Sequence, residues 1–268
     1  MALVHKIAQK FLNKANATLP RLKGTIGTSI AFIHIPKCGG TSIHSAISQH
    51  YRADKVSYLD PTASRTAAKA ADVPMLPFRR SLLDYELAKQ DGLRFVSGHW
   101  PVDQEMVQRN AEHWSFVTIL RDPVERWLSN YFFNRHRADN REHFGTSLSL
   151  GAYLDTKDAV ENGKLYLSFA HGGDMPEGDL TEKISQAVDV FGNFALVGHL
   201  DRMDGFLDAF QALWNIRLNI PVSNVNPANK AVRDETLTPA LLQRIEELCG
   251  PDRLIYEAVC SSKIETGT

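Results

Sequence analysis

The apolar run Ser29 to Ile35 ends in Pro36-Lys37-Cys38-Gly39-Gly40-Thr41-Ser42 and passes directly into Thr41 to Gln49, which has helical periodicity. No other stretch constrains the fold as strongly. A strand that turns through two glycines into a helix aims several backbone N–H groups and the positive end of a helix dipole at one point. Lys37, Thr41 and Ser42 add a cation and two hydroxyls there. Glycine is needed because a Cβ would block the close approach of oxyanion to backbone. The segment therefore reads as an anion site on an α/β framework. Leu93 to Ser97, Ser115 to Leu120 and Phe194 to Val197 read as further buried parallel strands. Strands alternating with helices predict an α/β fold with a mainly parallel sheet, in which ligands bind just beyond the carboxyl ends of the strands.

The 268 residues, 43% of them hydrophobic, suffice for one large domain with insertions, and no internal repeat or long linker divides them. We read residues 1 to 268 as that single domain. Residues 61 to 91, with Pro74, Pro77, Arg79 and Arg80, are expected to form a helical insertion over the site. Met203 to Leu213, Pro239 to Cys249 and Asp252 to Val259 read as helices. The 30 Lys and Arg against 31 Asp and Glu leave no global field that would favour nucleic acid.

Charge is nevertheless uneven, since no acidic residue precedes Asp54. Within residues 1 to 24, Leu3, Val4, Ile7, Ala8, Phe11 and Leu12 give an amphipathic helix with Lys6 and Lys10 off its apolar face. We expect it to dock on the domain, with peripheral membrane contact as the alternative. No apolar run is long enough to cross a membrane, and no signal-peptide core is apparent. Cys38, Cys249 and Cys260 leave one thiol over in any disulfide scheme and form no metal-type pair. A reducing, cytoplasmic location is the expectation, and the Asn16-Ala17-Thr18 sequon is then fortuitous.

The third strand ends in Arg121-Asp122-Pro123-Val124-Glu125 and leads into a helix carrying Ser129 and Tyr131. Asp122 as cap, Pro123 in the first turn and Glu125 three residues after the cap specify where that helix begins, which fixes Arg121 at the strand end. Arg121 and Ser129 can face a second phosphate, the guanidinium supplying a planar fork of donors. A nucleoside-triphosphatase loop places its lysine after the glycines, whereas Lys37 precedes them. A cysteine phosphatase would need an arginine soon after Cys38, and Ile43 to Gln49 contain none, so Cys38 reads as a small filler.

The stretch Phe32-Ile33-His34-Ile35-Pro36-Lys37-Cys38-Gly39-Gly40-Thr41-Ser42, followed by Arg121-Asp122-Pro123 through Ser129 and Tyr131, resembles the sulfotransferases that use 3′-phosphoadenosine-5′-phosphosulfate (PAPS). The branch containing heparan sulfate 2-O- and 6-O-sulfotransferases is the most similar. The resemblance implies a P-loop-like three-layer α/β/α fold with helical insertions. It further implies that Pro36, Lys37, Cys38, Gly39, Gly40, Thr41 and Ser42 hold the 5′-phosphosulfate and that Arg121 and Ser129 hold the 3′-phosphate. Ala195 to Leu213 looks like the family's later strand-to-helix segment. Asn226 to Lys230 is similar to its late cofactor-contacting loop, which suggests Asn229 and Lys230 as further contacts. The chain lacks the membrane anchor and stem of Golgi members and looks bacterial in organisation, which loosens any inference of a glycosaminoglycan acceptor.

Sulfuryl transfer to an alcohol needs a base for the acceptor proton and a cation near the leaving oxygen. Lys37 can be that cation, so no metal is expected. His99, after Gly98 at the end of the second strand and between the two motifs, is the preferred base. His199, in Val197-Gly198-His199, is its rival, and His34 reads as a packed strand histidine. His136 and His143, with Arg135, Arg137 and Arg141, form either a solvated face or a contact to an anionic acceptor such as a glycan or lipid. Two other classes stay open: a kinase-like nucleotide enzyme, and an inactive module that binds glycan or the product 3′-phosphoadenosine-5′-phosphate (PAP).

Overall fold

The computed structural model describes residues 29–89, 92–136, 145–220 and 236–261, with the side chains of His136 and Ser261 outside that description. The elements run in order β1 (Ser29–Ile33), α1 (Gly40–Ser48), β2 (Val56–Tyr58), α2 (Pro61–Ala70), α3 (Met75–Ala88), β3 (Phe95–Gly98), α4 (Gln104–Asn110) and β4 (Trp114–Leu120). They continue with α5 (Pro123–His136), α6 (Leu150–Tyr153), α7 (Lys157–Gly163), α8 (Leu165–Phe169), α9 (Leu180–Gly192), β5 (Leu196–His199), α10 (Met203–Trp214), α11 (Pro239–Leu248) and α12 (Gly250–Ser261).

One five-stranded sheet has the order β2-β3-β1-β4-β5, and every neighbouring pair is parallel. Alternate side chains of each strand enter different cores, as the two-residue period of a strand requires. Ala31 and Ile33 of β1 join Val96, Phe116 and Leu120 against Leu83 of α3, Phe191 of α9 and Ile255 of α12. Ile30 and Phe32 join Phe95, Val117 and Ile119 against Ile43 of α1 and Phe210 of α10 on the other face. The result is a helix–sheet–helix sandwich. A third cluster, with Trp127 of α5, Tyr153 of α6 and Ile245 of α11, extends one side.

The four expected strands are present with shifted ends. The first is assigned only to Ile33, although the His34 N–H still donates to the Gly98 carbonyl before the chain turns from Ile35 to Cys38, and the second and fourth each sit about two residues later than the apolar runs suggest. The edge strand β2 was not anticipated: Val-Ser-Tyr is too short to show a period. The helices expected near the C-terminus are α10, α11 and α12. The chain leaves β1 for the β2 and β3 side, then crosses to β4 and β5. The strand order thus reverses at β1, and in open parallel sheets ligands bind beyond the carboxyl ends of the strands at such a point.

Candidate active site

The loop after β1 is built as a concave backbone. Lys37 has φ of 67° and Gly39 φ of 76°, so two left-handed residues flank Cys38 and turn successive N–H groups inward. Left-handed backbone at a lysine is uncommon and strained, and such strain concentrates at functional sites. Gly39 starts α1 with no side-chain cap, and the first turn of α1 contains no acidic residue. Its leading N–H groups therefore remain available to an anion. α5 differs: Asp122 Oδ1 accepts from the N–H groups of Val124 and Glu125, both at 3.0 Å, so that helix start is closed by its own cap.

Gly39 is favoured by its left-handed φ, and Gly40 by the ring packed against it. A Cβ on Gly39 would lie 2.7 Å from Leu200 Cδ1, and one on Gly40 would overlap the imidazole of His34. His34, 7% exposed, is thus the floor beneath the start of α1, as its reading as a packed histidine implies. Burial, reinforced by the neighbouring His99, holds its pKa well below the ordinary value.

Lys37 and Arg121 come together, and Ser129 lies on the α5 face between the residues they touch. Lys37 Nζ stands 3.5 Å from the centroid of the Phe133 ring, a cation–π contact. Arg121 Nη1 reaches the Lys37 carbonyl at 3.5 Å and Nη2 lies 3.5 Å from Glu125 Oε2. Glu125, Ser129 and Phe133 recur at four-residue spacing, so they share one face of α5. Thr41 is exposed, Pro36 and Ser42 are half-buried, and Cys38 is buried with its thiol pKa raised by that burial. Asn229, Lys230, His143, Arg137, Arg141 and the helix expected within residues 1 to 24 lie outside the described residues, as does the side chain of His136.

His99 follows β3, the neighbour of β1. Its Nδ1 is 2.6 Å from the backbone carbonyl of His34. A carbonyl can only accept, so Nδ1 carries the proton and Nε2 presents its lone pair. Burial chiefly, helped by the charge of Arg79, lowers the His99 pKa to about 4. His199 is the last residue of β5, with Nδ1 3.1 Å from the Tyr256 hydroxyl and 3.4 Å from Cys260 Sγ. Three strand spacings, about 14 Å, separate the two histidine positions across the sheet.

Sequence reasoning missed Tyr166 of α8. Its hydroxyl donates to the Arg121 carbonyl at 2.6 Å and accepts the Arg121 N–H at 3.0 Å, with Cys38 Sγ 3.5 Å away. One buried oxygen thereby joins the loop after β1 to the arginine after β4. The N–H groups of Tyr166 and Leu167 in turn donate to Asp252 of α12 at 2.8 and 3.0 Å. Arg126, fully buried, donates to the side-chain and backbone oxygens of Asn162. Tyrosine in a short helix carries no signature of such a role.

Among the described residues no group of three or more His, Cys, Asp or Glu side chains is placed to hold a metal ion, and no helix is long and apolar enough to cross a membrane. No curated protein matches the chain. A family model described as the sulfotransferase domain matches residues 29–190, a span that opens at β1 and includes the loop, His99, Arg121, Ser129 and Tyr166. With that match covering more than half of its length, the chain belongs to the sulfotransferase domain family.

Proposed function

We propose that the protein transfers a sulfuryl group from PAPS to the hydroxyl of an acceptor, with His99 as general base and Lys37 as the cation at the leaving oxygen. The observation that carries this reading is the pairing of an uncapped helix start at Gly39 with Arg121, whose guanidinium reaches the Lys37 carbonyl. Two phosphate-binding positions at the ends of adjacent strands suit a nucleotide with both a 5′- and a 3′-phosphate. Lys37, Cys38, Gly39, Gly40, Thr41 and Ser42 would hold the 5′ end by backbone N–H, hydroxyl and ammonium groups, with Pro36 shaping the entry. Arg121 and Ser129 would hold the 3′-phosphate, the guanidinium exchanging Glu125 for phosphate oxygens. The donor supplies an activated sulfur–oxygen bond.

The chain's own residues supply proton transfer, charge and alignment. His99 is neutral at physiological pH, so its Nε2 can accept the acceptor proton while the acceptor oxygen bonds to sulfur. The bond from sulfur to the phosphate oxygen breaks on the opposite side, and the negative charge left there falls to Lys37. His199 lies on the β4 and β5 side, with Arg121, away from the β3 side where an acceptor could meet His99. We favour a sugar, lipid or small-metabolite alcohol as acceptor, in line with the resemblance to the heparan sulfate 2-O/6-O branch, and a cytoplasmic location.

Transfer is tested by mass spectrometry of extracts incubated with protein and PAPS, seeking acceptors that gain one sulfuryl group. PAP should raise the melting temperature more than AMP or ATP; a ligand at a hundredfold excess over its Kd adds about 2.7 kcal/mol of stability. His99→Ala should cut transfer by about a hundredfold with PAP affinity retained, whereas Lys37→Ala should weaken both. Loss of transfer in His199→Ala, with His99→Ala active, would move the base to β5.

A further inference from the structure

Arg79 of α3 is 3% exposed, and arginine is almost never buried to that degree without a paired anion. Its Nε donates to Ser64 Oγ at 3.0 Å and its Nη2 to the Pro61 carbonyl at 2.9 Å, both neutral acceptors in α2. Among the described residues no carboxylate forms an ion pair with it and Nη1 has no hydrogen-bond acceptor. Burial lowers its pKa to about 10, and a second guanidinium nearby, Arg65, pushes in the same direction. The guanidinium stands at the carboxyl edge of the sheet. Leu59, two residues before Pro61, donates its N–H to the Ser97 carbonyl at 2.9 Å, and a Cβ on Gly98 would overlap the Leu59 side chain. The next residue is His99, which feels the Arg79 charge.

A buried cation held by neutral groups, beside the candidate base and on the far side of it from Arg121, leaves a charge for the second substrate to neutralise. From this we infer that Arg79 is an acceptor-recognition residue, and that the acceptor is an alcohol bearing an oxyanion, carboxylate, sulfate or phosphate, which docks on the guanidinium and brings its hydroxyl to His99. The inference rests on the sulfotransferase reading for the identity of the second substrate. It adds a function to the docked charge as well. Burial is the chief reason His99 is weakly basic, and the Arg79 charge adds to it; an anion on Arg79 cancels that added part, so acceptor binding strengthens the base.

The test uses inorganic sulfate, titrated at constant ionic strength into protein carrying labelled histidines and saturated with PAP, with the His99 ring resonances as readout. PAP binding is scored first, by melting temperature. Its failure would count against the donor reading alone, and the sulfate titration would then be scored on the free protein. Sulfate should bind saturably and raise the His99 titration midpoint, and Arg79→Gln should weaken that binding by about tenfold or more. Methyl glucuronide should bind more tightly than methyl glucoside to the wild-type protein, and about equally to Arg79→Gln. Equal sulfate binding by the variant would place the ion away from Arg79 and overturn the inference. Equal affinity of wild type for glucuronide and glucoside would do so too. Should Arg79→Gln fail to fold, an unchanged His99 midpoint in sulfate-loaded wild-type protein is decisive against it.

Discussion

Replacing Tyr166 with phenylalanine removes a single oxygen and leaves the ring in the core. That oxygen serves both backbone polar groups of Arg121, at 2.6 and 3.0 Å, and lies 3.5 Å from Cys38 Sγ. Burial keeps the phenol pKa well above its ordinary value, so the hydroxyl retains its proton and donates at any working pH. The deletion leaves the part-buried N–H and C=O of Arg121 without that partner. An unsatisfied buried group costs about 1–3 kcal/mol, and because both of these are only part-buried Tyr166→Phe should lose roughly 2–4 kcal/mol of stability.

A purely structural loss would weaken all ligands alike, whereas loosening Arg121 should act on the 3′-phosphate. A charge-assisted hydrogen bond is worth about 1.5–3 kcal/mol, and forfeiting about half of one corresponds to roughly a three- to tenfold loss of affinity. Calorimetric titration of wild type and variant with PAP and AMP separates the cases, because the two nucleotides differ only in the 3′-phosphate. We expect PAP binding to fall by that factor while AMP binding changes by less than about twofold. Equal losses for PAP and AMP, or no loss for either, would refute the claim that Tyr166 positions the Arg121 site.

Three further outcomes are expected. Gly40→Ala should cost about 1–3 kcal/mol, read from the urea midpoint, because its methyl would overlap the His34 ring, itself packed 4.5 Å from the His99 ring; PAP-induced stabilisation should fall with it. Stability should decline as pH falls below about 6.5, since burial holds His34, His44, His99 and His199 below their ordinary value while the unfolded chain takes up protons there. His99 alone, with its pKa about 4, accounts for on the order of 3 kcal/mol across that window. Asp252 opposes the trend, because burial raises its carboxyl to about 7 and folding then favours the proton; a urea midpoint flat or rising from pH 7 to 5 would mean that this carboxyl dominates. Transfer should survive EDTA, and a loss restored by magnesium would favour the kinase-like reading.

What the sequence made legible were features with a local cause. The β1 run, the two glycines and Asp122-Pro123 each act through backbone conformation within a few residues, and they lie at or beside the positions expected of them. What stayed hidden depends on contacts between distant residues. Tyr166 meets Arg121 across 45 positions and Asp252 across 86, and nothing local distinguishes it from any other core tyrosine. Arg79 was visible as a charge in the stretch before β3, but its burial follows from the packing of α2 on α3, which periodicity does not report.

The strand order supplies the remaining constraint on the proposed chemistry. β1 lies between β3 and β4, so the loop at Lys37 has His99 on one side and Arg121 on the other. In-line displacement requires the entering and leaving oxygens on opposite sides of the transferred sulfur. A base beside β3 and a nucleotide running toward β4 satisfy that requirement through topology, before any side chain is adjusted. A base at His199 would share the nucleotide's side of β1, and the acceptor would have to enter from the direction in which the leaving group departs. The parallel order β3-β1-β4 thus favours His99 on grounds separate from its proton state, and the His99→Ala and His199→Ala pair tests the sheet geometry as directly as it tests the base.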